Sequence, residues 1–203
     1  MPTTEFLRML TLGTLLGVAA PAMIASDSAG LLNSERIEQK FGSYGIEVLD
    51  QTGEVRVATL HSREAVGTVT RTFAVTRFHD PVDPRLAEAH QRIRDGASIG
   101  ATLAGDGWEV GREHIWTGEL PAGSRLEPLM GEAPGTRLAV HVFDLTARRG
   151  GEALLYATIA EVHHPDHLDQ TALEDLFGQH EAATDRSAQL LHHVLAQMGT
   201  ARQ

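Results

Sequence analysis

The chain has 203 residues, 17 Lys and Arg against 27 Asp and Glu, a formal net charge of -10 and no cysteine. That balance argues against nucleic-acid binding, which rests on neutralising phosphates with Lys and Arg, and the absence of thiols removes disulfides and thiolate chemistry. Lys40 is the only lysine, so Schiff-base chemistry has one candidate and nearly every cation is an arginine able to grip a carboxylate bidentately.

Arg8 precedes an uncharged apolar run from Met9 to Val18, and the small-residue triplet Ala20-Pro21-Ala22 follows. This three-part plan predicts a secretory signal peptide over residues 1–22, cleaved after Ala22, and therefore a periplasmic or secreted protein. The run falls short of the about 20 residues that span a bilayer, so no membrane segment is expected in the mature chain. Residues 31–168 then read as one ligand-binding domain and residues 169–203 as its helical C-terminal extension.

Leu31, Leu32, Ile37 and Phe41 recur at roughly helical spacing and predict a helix that stops at Gly42. Strands over 44–50 and 54–60 flank Gln51-Thr52-Gly53 as a hairpin, and a third strand, rich in β-branched and aromatic residues, covers 68–78. Asp83-Pro84 is an N-cap followed by Pro at the first helical position, opening a central helix whose face carries Leu86, Ala89 and Ile93. Gly96 to Leu103 reads as a compact connection. Strands follow over 108–120, 137–146 and 152–163, the last two joined at Arg149-Gly150-Gly151. Beyond Pro165 an apolar stripe of helical period runs through Leu173, Phe177, His180, Leu191 and Val194 to Gly199. No internal repeat is visible. The pattern predicts an α+β fold: one domain built on an antiparallel sheet, with a central helix and a helical C-terminal tail.

The densest chemical cluster is Glu161-Val162-His163-His164-Pro165-Asp166-His167. On a strand Glu161 and His163 share a face with Leu155, Ala157 and Ile159, which places a carboxylate at the end of an apolar file. Burial there raises its proton affinity and suits it to general-acid work, whereas an arginine partner would make it a structural ion pair. His163, His164 and His167 are candidate metal ligands, since imidazole suits zinc where thiols are missing, although no H-E-x-x-H helix accompanies them. His192 and His193 are adjacent on a helix and face different ways. Gly96-Ala97-Ser98-Ile99-Gly100 spells G-x-S-x-G, but it follows a predicted helix rather than a strand, so it is not a nucleophile elbow. Gly96-Ala97-Ser98-Ile99-Gly100 could offer backbone amides to an anion.

From about Gly42 to Leu168 these features resemble the chorismate lyase fold, shared with the ligand-sensing domains of GntR-type regulators. The resemblance rests on the hairpin within Ser43 to Leu60, an arginine-bearing strand followed by a helix, the loop Gly96-Ala97-Ser98-Ile99-Gly100-Ala101-Thr102-Leu103, and Glu161 four residues before Pro165. The stretch from Gly118 to Leu168, with its Leu129 to Gly135 turn, is similar to the sensor domains. The resemblance implies Glu161 at the catalytic-acid position, Arg71 or Arg77 at the substrate-carboxylate position, and backbone contacts from Ile99 and Gly100. The helical tail and the expected export depart from the lyases, so the fold carries over better than the reaction.

The resulting expectation is an exported, cofactor-free, non-catalytic protein that binds a small anionic ligand, aromatic or hydrophobic in its body, between sheet and helices. Arg71, Arg77, Ile99, Gly100, Glu161 and His163 form the candidate ligand-binding set. The alternatives are an enzyme of the chorismate-lyase type with Glu161 as catalytic acid, a protein-interaction module docking through the C-terminal helix, and a metal-binding protein using His163, His164 and His167.

Overall fold

A computed structural model describes residues 30–65, 67–133, 135–178 and 185–198. The expected signal peptide, His180 and Gly199 lie outside the described residues. In chain order the elements are α1 (Asn33–Phe41), β1 (Gly45–Thr52), β2 (Val55–Glu64), β3 (Gly67–Phe78), a 3-10 turn (Pro84–Leu86), α2 (Ala87–Arg94), α3 (Ile99–Gly105), β4 (Glu109–Pro121), α4 (Leu126–Met130), β5 (Arg137–Arg149), β6 (Glu152–His163), α5 (Gln170–Phe177) and α6 (Asp185–Met198). The fold is α+β, a six-stranded antiparallel sheet with helices on both faces.

Local chemistry sets the boundaries. The Glu35 carboxylate accepts the Leu32 backbone N–H at 2.6 Å and closes the start of α1, while Gly42, at φ 74°, ends that helix in the left-handed region and donates its N–H to Glu38. Asp83 accepts the Arg85 N–H at the start of the 3-10 turn, as its cap signature predicts. Gly150 and Gly151 both have positive φ, which the tight β5–β6 hairpin requires. The expected connection after Gly96 contains a helix, α3, anchored by the fully buried Leu103.

Alternation along the strands divides the core between the two sheet faces. One face carries Val57, Phe73, Val75, Val140, Val142, Ala160 and Val162, covered by α4 and by Leu190 and Val194 of α6. The other is covered in turn by α1 over Leu60 and Ala74, by α2 and α3 over Phe78, Leu145 and Ile159, and by α5 over Ala139. The single C-terminal stripe is therefore two helices on opposite faces. Leu190 and Val194 are buried against the protein's own sheet, a gain of about 1.5–3 kcal/mol each. Among the described residues no helix is long and apolar enough to cross a membrane.

The strand order β1-β2-β3-β6-β5-β4 means that one three-stranded meander is laid down, then a second, joined through β3 and β6. The two match pair by pair. Ile46 pairs with Leu60 and Leu60 with Thr72 in the first; Arg112 pairs with Leu145 and Leu145 with Ala157 in the second. The irregularities recur as well: the register shift at Val48/Asp50 answers that at His114/Trp116, and the shift at Leu60/His61 answers that at Leu145/Thr146. Past the third strand of each half a histidine donates its backbone N–H to the other half, His79 to Tyr156 and His164 to Arg71, both at 2.9 Å. Each half opens with a helix (α1, α3) and closes with one (α2, α5). The chain is thus an internal pseudo-two-fold repeat, which its sequence does not reveal, because register depends on alternation and bulges rather than on residue identity.

Candidate ligand-binding cavity

On the α1-covered face, a cavity of about 80 Å³ lies across the pseudo-two-fold axis. Its floor and walls are equivalent pairs from the two halves, Ala58 with Phe143, Leu60 with Leu145, Ala74 with Ile159 and Thr76 with Glu161, and its roof is the start of α1 (Leu32, Asn33, Ser34) opposite the start of α3 (Ser98, Ile99, Gly100). The hollow comes from small side chains: Ala58 and Ala74 pair directly across β2 and β3 in the row that continues to Glu161 on β6. Gly100 closes the roof, since a Cβ there would come within 2.7 Å of Leu32 Cδ1.

Two arginines enter the cavity from opposite sides of this floor, Arg56 on β2 and Arg112 on β4, with β3, β6 and β5 between them. Arg56 is 1 % exposed; its guanidinium donates to the carbonyls of Ile93 (3.1 Å) and Ala97 (2.9 Å) at the end of α2, and its Nε has no hydrogen-bond partner among the described residues. Arg112 donates to the carbonyls of Gly30 (3.0 Å) and Leu31 (2.5 Å), fixing the segment that leads into α1. Tyr44 Oη lies 3.4 Å from Ser98 Oγ in the same cavity.

Glu161 is the cavity's carboxylate, with its side chain 12 % exposed. Burial raises its proton affinity, opposed by the Arg112 charge, a hydrogen bond from Asn33 and the Arg36 charge. Behind it runs a buried polar chain. His167 Nε2 meets Asn33 Oδ1 at 2.7 Å, Asn33 Nδ2 donates to Thr72 Oγ1 at 3.1 Å, and Thr72 Oγ1 lies 3.2 Å from His163 Nδ1. The Asn33 oxygen can only accept, so His167 donates to it, while the Thr72 hydroxyl keeps both its own proton and a second lone pair, so its bond to His163 Nδ1 fits either tautomer of the neutral imidazole, whose other ring nitrogen is Nε2. That nitrogen has no hydrogen-bond partner among the described residues and sits 3.9 Å from Glu161 Oε2. Burial holds both imidazoles neutral: it pushes His163 well below the usual histidine range, and it lowers His167 to about 3 with help from Lys40, Arg36 and Arg71.

Of the sequence candidates, Glu161, Ile99 and Gly100 line the cavity; Arg71, Arg77 and His163 do not. Arg71 is a correction. Thr72 pairs with Leu60 and Thr70 with His61, so Arg71 is the extra residue of a bulge. Its guanidinium packs on the Phe41 ring at 3.8 Å, bonds Ser62 at 3.0 Å and pairs with Glu64. It sits beyond the C-terminal end of α1, whereas the cavity lies under the start of that helix. Arg77 alternates with Thr76, faces away from the cavity and bonds Gln189 of α6. His163 is buried behind Glu161.

The metal expectation is also corrected: among the described residues no three His, Asp or Glu side chains gather as ligands. The Pro165 turn sends His164 away to Asp166 N–H (3.1 Å) and Glu132 (3.4 Å), while His167 goes to Asn33. Sequence reasoning missed Arg56, Arg112, Asn33 and Tyr44. A signal existed for Arg56, a lone cation sharing a strand face with Ala58 and Leu60.

No protein-family model matches the chain, and no curated protein does. Among solved structures it is similar to the ligand-binding domain of a GntR-family transcriptional regulator from Bordetella bronchiseptica, with a TM-score of 0.37 and 14% sequence identity over 62% of this chain and 87% of that one. This is a weak fold-level relationship, of the kind expected from the sequence, and it assigns no ligand to the cavity.

Proposed function

We propose that this protein is an exported, non-catalytic binding protein for a small organic anion, held in the cavity between the sheet and the starts of α1 and α3. The observation that carries the reading is Arg56, a fully buried cation whose bonds go to backbone carbonyls and whose Nε is open, on a cavity that Arg112 also faces. A buried charge needs a counter-charge, and Glu161 is the one carboxylate among the lining residues. A ligand acid supplies the missing negative charge. Ile46, Leu60, Phe143, Leu145 and Ile159 offer its body an apolar surface. At roughly 10–15 Å³ per water on this measure, the cavity takes about six waters or an organic acid of comparable bulk.

Titration calorimetry with benzoate and its neutral analogue benzamide tests the reading. Benzoate is expected to bind and benzamide not, and Arg112→Met to weaken benzoate at least tenfold. Equal binding of the two, or of neither, would defeat it. Glu161, held toward its protonated form, favours one second reading, an elimination using it as general acid. Chorismate incubated with the protein is expected to release no pyruvate; release lost in Glu161→Gln would establish the enzyme instead. N-terminal sequencing of the exported chain, expected to begin just after Ala22, tests the location.

A further inference from the structure

We propose that Glu161 takes up a proton when an anion enters the cavity, so that this protein binds its ligand together with one proton. The inference rests on the anion-binding reading and deepens it.

Glu161 stands between the cavity and a sealed polar chain, and the groups around it are fixed. From α1 it meets Asn33 and Arg36, from β4 Arg112, and from the segment before β1 the Tyr44 phenol. On β5 the paired residue is the buried His141, and on its own strand His163 presents Nε2 at 3.9 Å without closing a hydrogen bond. His167 lies one step further along the chain, bonded to Asn33. In the free protein the charge opposing protonation comes first from Arg112. An anion seated on Arg112 uses that same guanidinium and places a second negative charge in the site, where two neighbouring carboxylates cannot both stay ionised. It also displaces water from the carboxyl.

The histidines cannot supply the compensating charge, because burial keeps His163 and His167 neutral. Asn33 joins them, accepting from His167 and donating to Thr72. Within that polar chain Glu161 is the group left to change. Once protonated, its hydroxyl can donate to the bound acid, turning a repulsive contact into a hydrogen bond. Linkage then requires affinity to fall as pH rises, by up to tenfold per pH unit where one proton is taken up.

The test is calorimetry of benzoate binding at about pH 7, where benzoate is ionised, in buffers with different heats of ionisation. The dependence of the measured heat on buffer is expected to report uptake approaching one proton for the native chain and none for Glu161→Gln, whose affinity becomes independent of pH. Difference infrared spectra of the native chain with and without benzoate are expected to gain a protonated-carboxyl band, a readout that stands even if the variant does not fold. Binding without proton uptake, or uptake undiminished in Glu161→Gln, overturns this inference and leaves the anion reading standing. If benzoate does not bind, the anion reading fails and this inference fails with it.

Discussion

Arg56 on β2 and His141 on β5 occupy equivalent places in the two halves, and both hold the end of the helix that closes their half. Arg56 does so with hydrogen bonds to the Ile93 carbonyl in the last turn of α2 and to the Ala97 carbonyl just beyond it. His141 does so by stacking on Phe177, the last residue of α5, with ring centroids 4.3 Å apart and planes 13° from parallel, while its Nε2 lies 2.7 Å from His114 Nδ1. The backbone role is shared and the chemistry is not. The same divergence runs around the cavity, where Ile46 and Thr76 of the first half stand opposite Arg112 and Glu161 of the second. Register, bulges and return hydrogen bonds are preserved, so the symmetric backbone makes the hollow. The departures from symmetry give it its charged groups.

Removing one such departure has the largest expected effect. Ala58 and Phe143 are equivalent, and the small member gives the floor its depth. Ala58→Phe places on β2 the residue that β5 already carries, filling the space the ligand would use. Benzoate binding is expected to fall by at least about a hundredfold, while overpacking costs about 1–3 kcal/mol in denaturant unfolding. Retained affinity in a folded variant would move the site elsewhere.

The two arginines sharpen the comparison next, since one is structural as well as cavity-facing. Arg56→Met leaves the Ile93 and Ala97 carbonyls without their buried donor, a loss of about 1–3 kcal/mol in urea unfolding. Arg112 is less buried, and of its two carbonyl partners Gly30 is exposed and Leu31 half-buried. Arg112→Met is therefore expected to cost less than about 1 kcal/mol while weakening benzoate as strongly as Arg56→Met. Equal destabilisation by both would remove the distinction drawn between the halves.

The strands were legible because each alternates apolar and polar residues between turn signals, and Glu161 was legible because it ends an apolar file. What escaped depends on pairing between distant segments. A bulge has no local signature in Thr70-Arg71-Thr72, yet it decides that Arg71 packs on Phe41 rather than entering the cavity. Arg112 reaches Glu161 because β4 lies beside β5, an adjacency that nothing near residue 112 encodes. α3 looked like a turn because Gly96, Ser98 and Gly100 are turn residues; its helix is held by Leu103 and by the contact of Leu32 with Gly100. The repeat itself was hidden because equivalent positions carry unlike residues, Arg71 against Tyr156 and Ile46 against Arg112.

The smallest expected effect lies where α1 and α3 meet over the cavity. The place held by Gly100 at the start of α3 is held at the start of α1 by Ser34, so a side chain is tolerated in one half and absent in the other. Gly100 is not in the left-handed region, and its restriction is the close approach of Leu32 alone. In Gly100→Ala the new methyl would meet Leu32 Cδ1 at 2.7 Å, the far end of a flexible side chain that can rotate away. Alanine also gains up to about 1 kcal/mol over glycine within a helix, which offsets the cost of moving Leu32. Thermal unfolding is therefore expected to change by less than about 1 kcal/mol in either direction. Leu32 also lines the cavity, so the displaced side chain narrows it and benzoate binding is expected to weaken several-fold. Unchanged affinity in this variant would show that the roof contact does not bound the ligand, and would leave the floor of Ala58 and Ala74 as the element that sets its size.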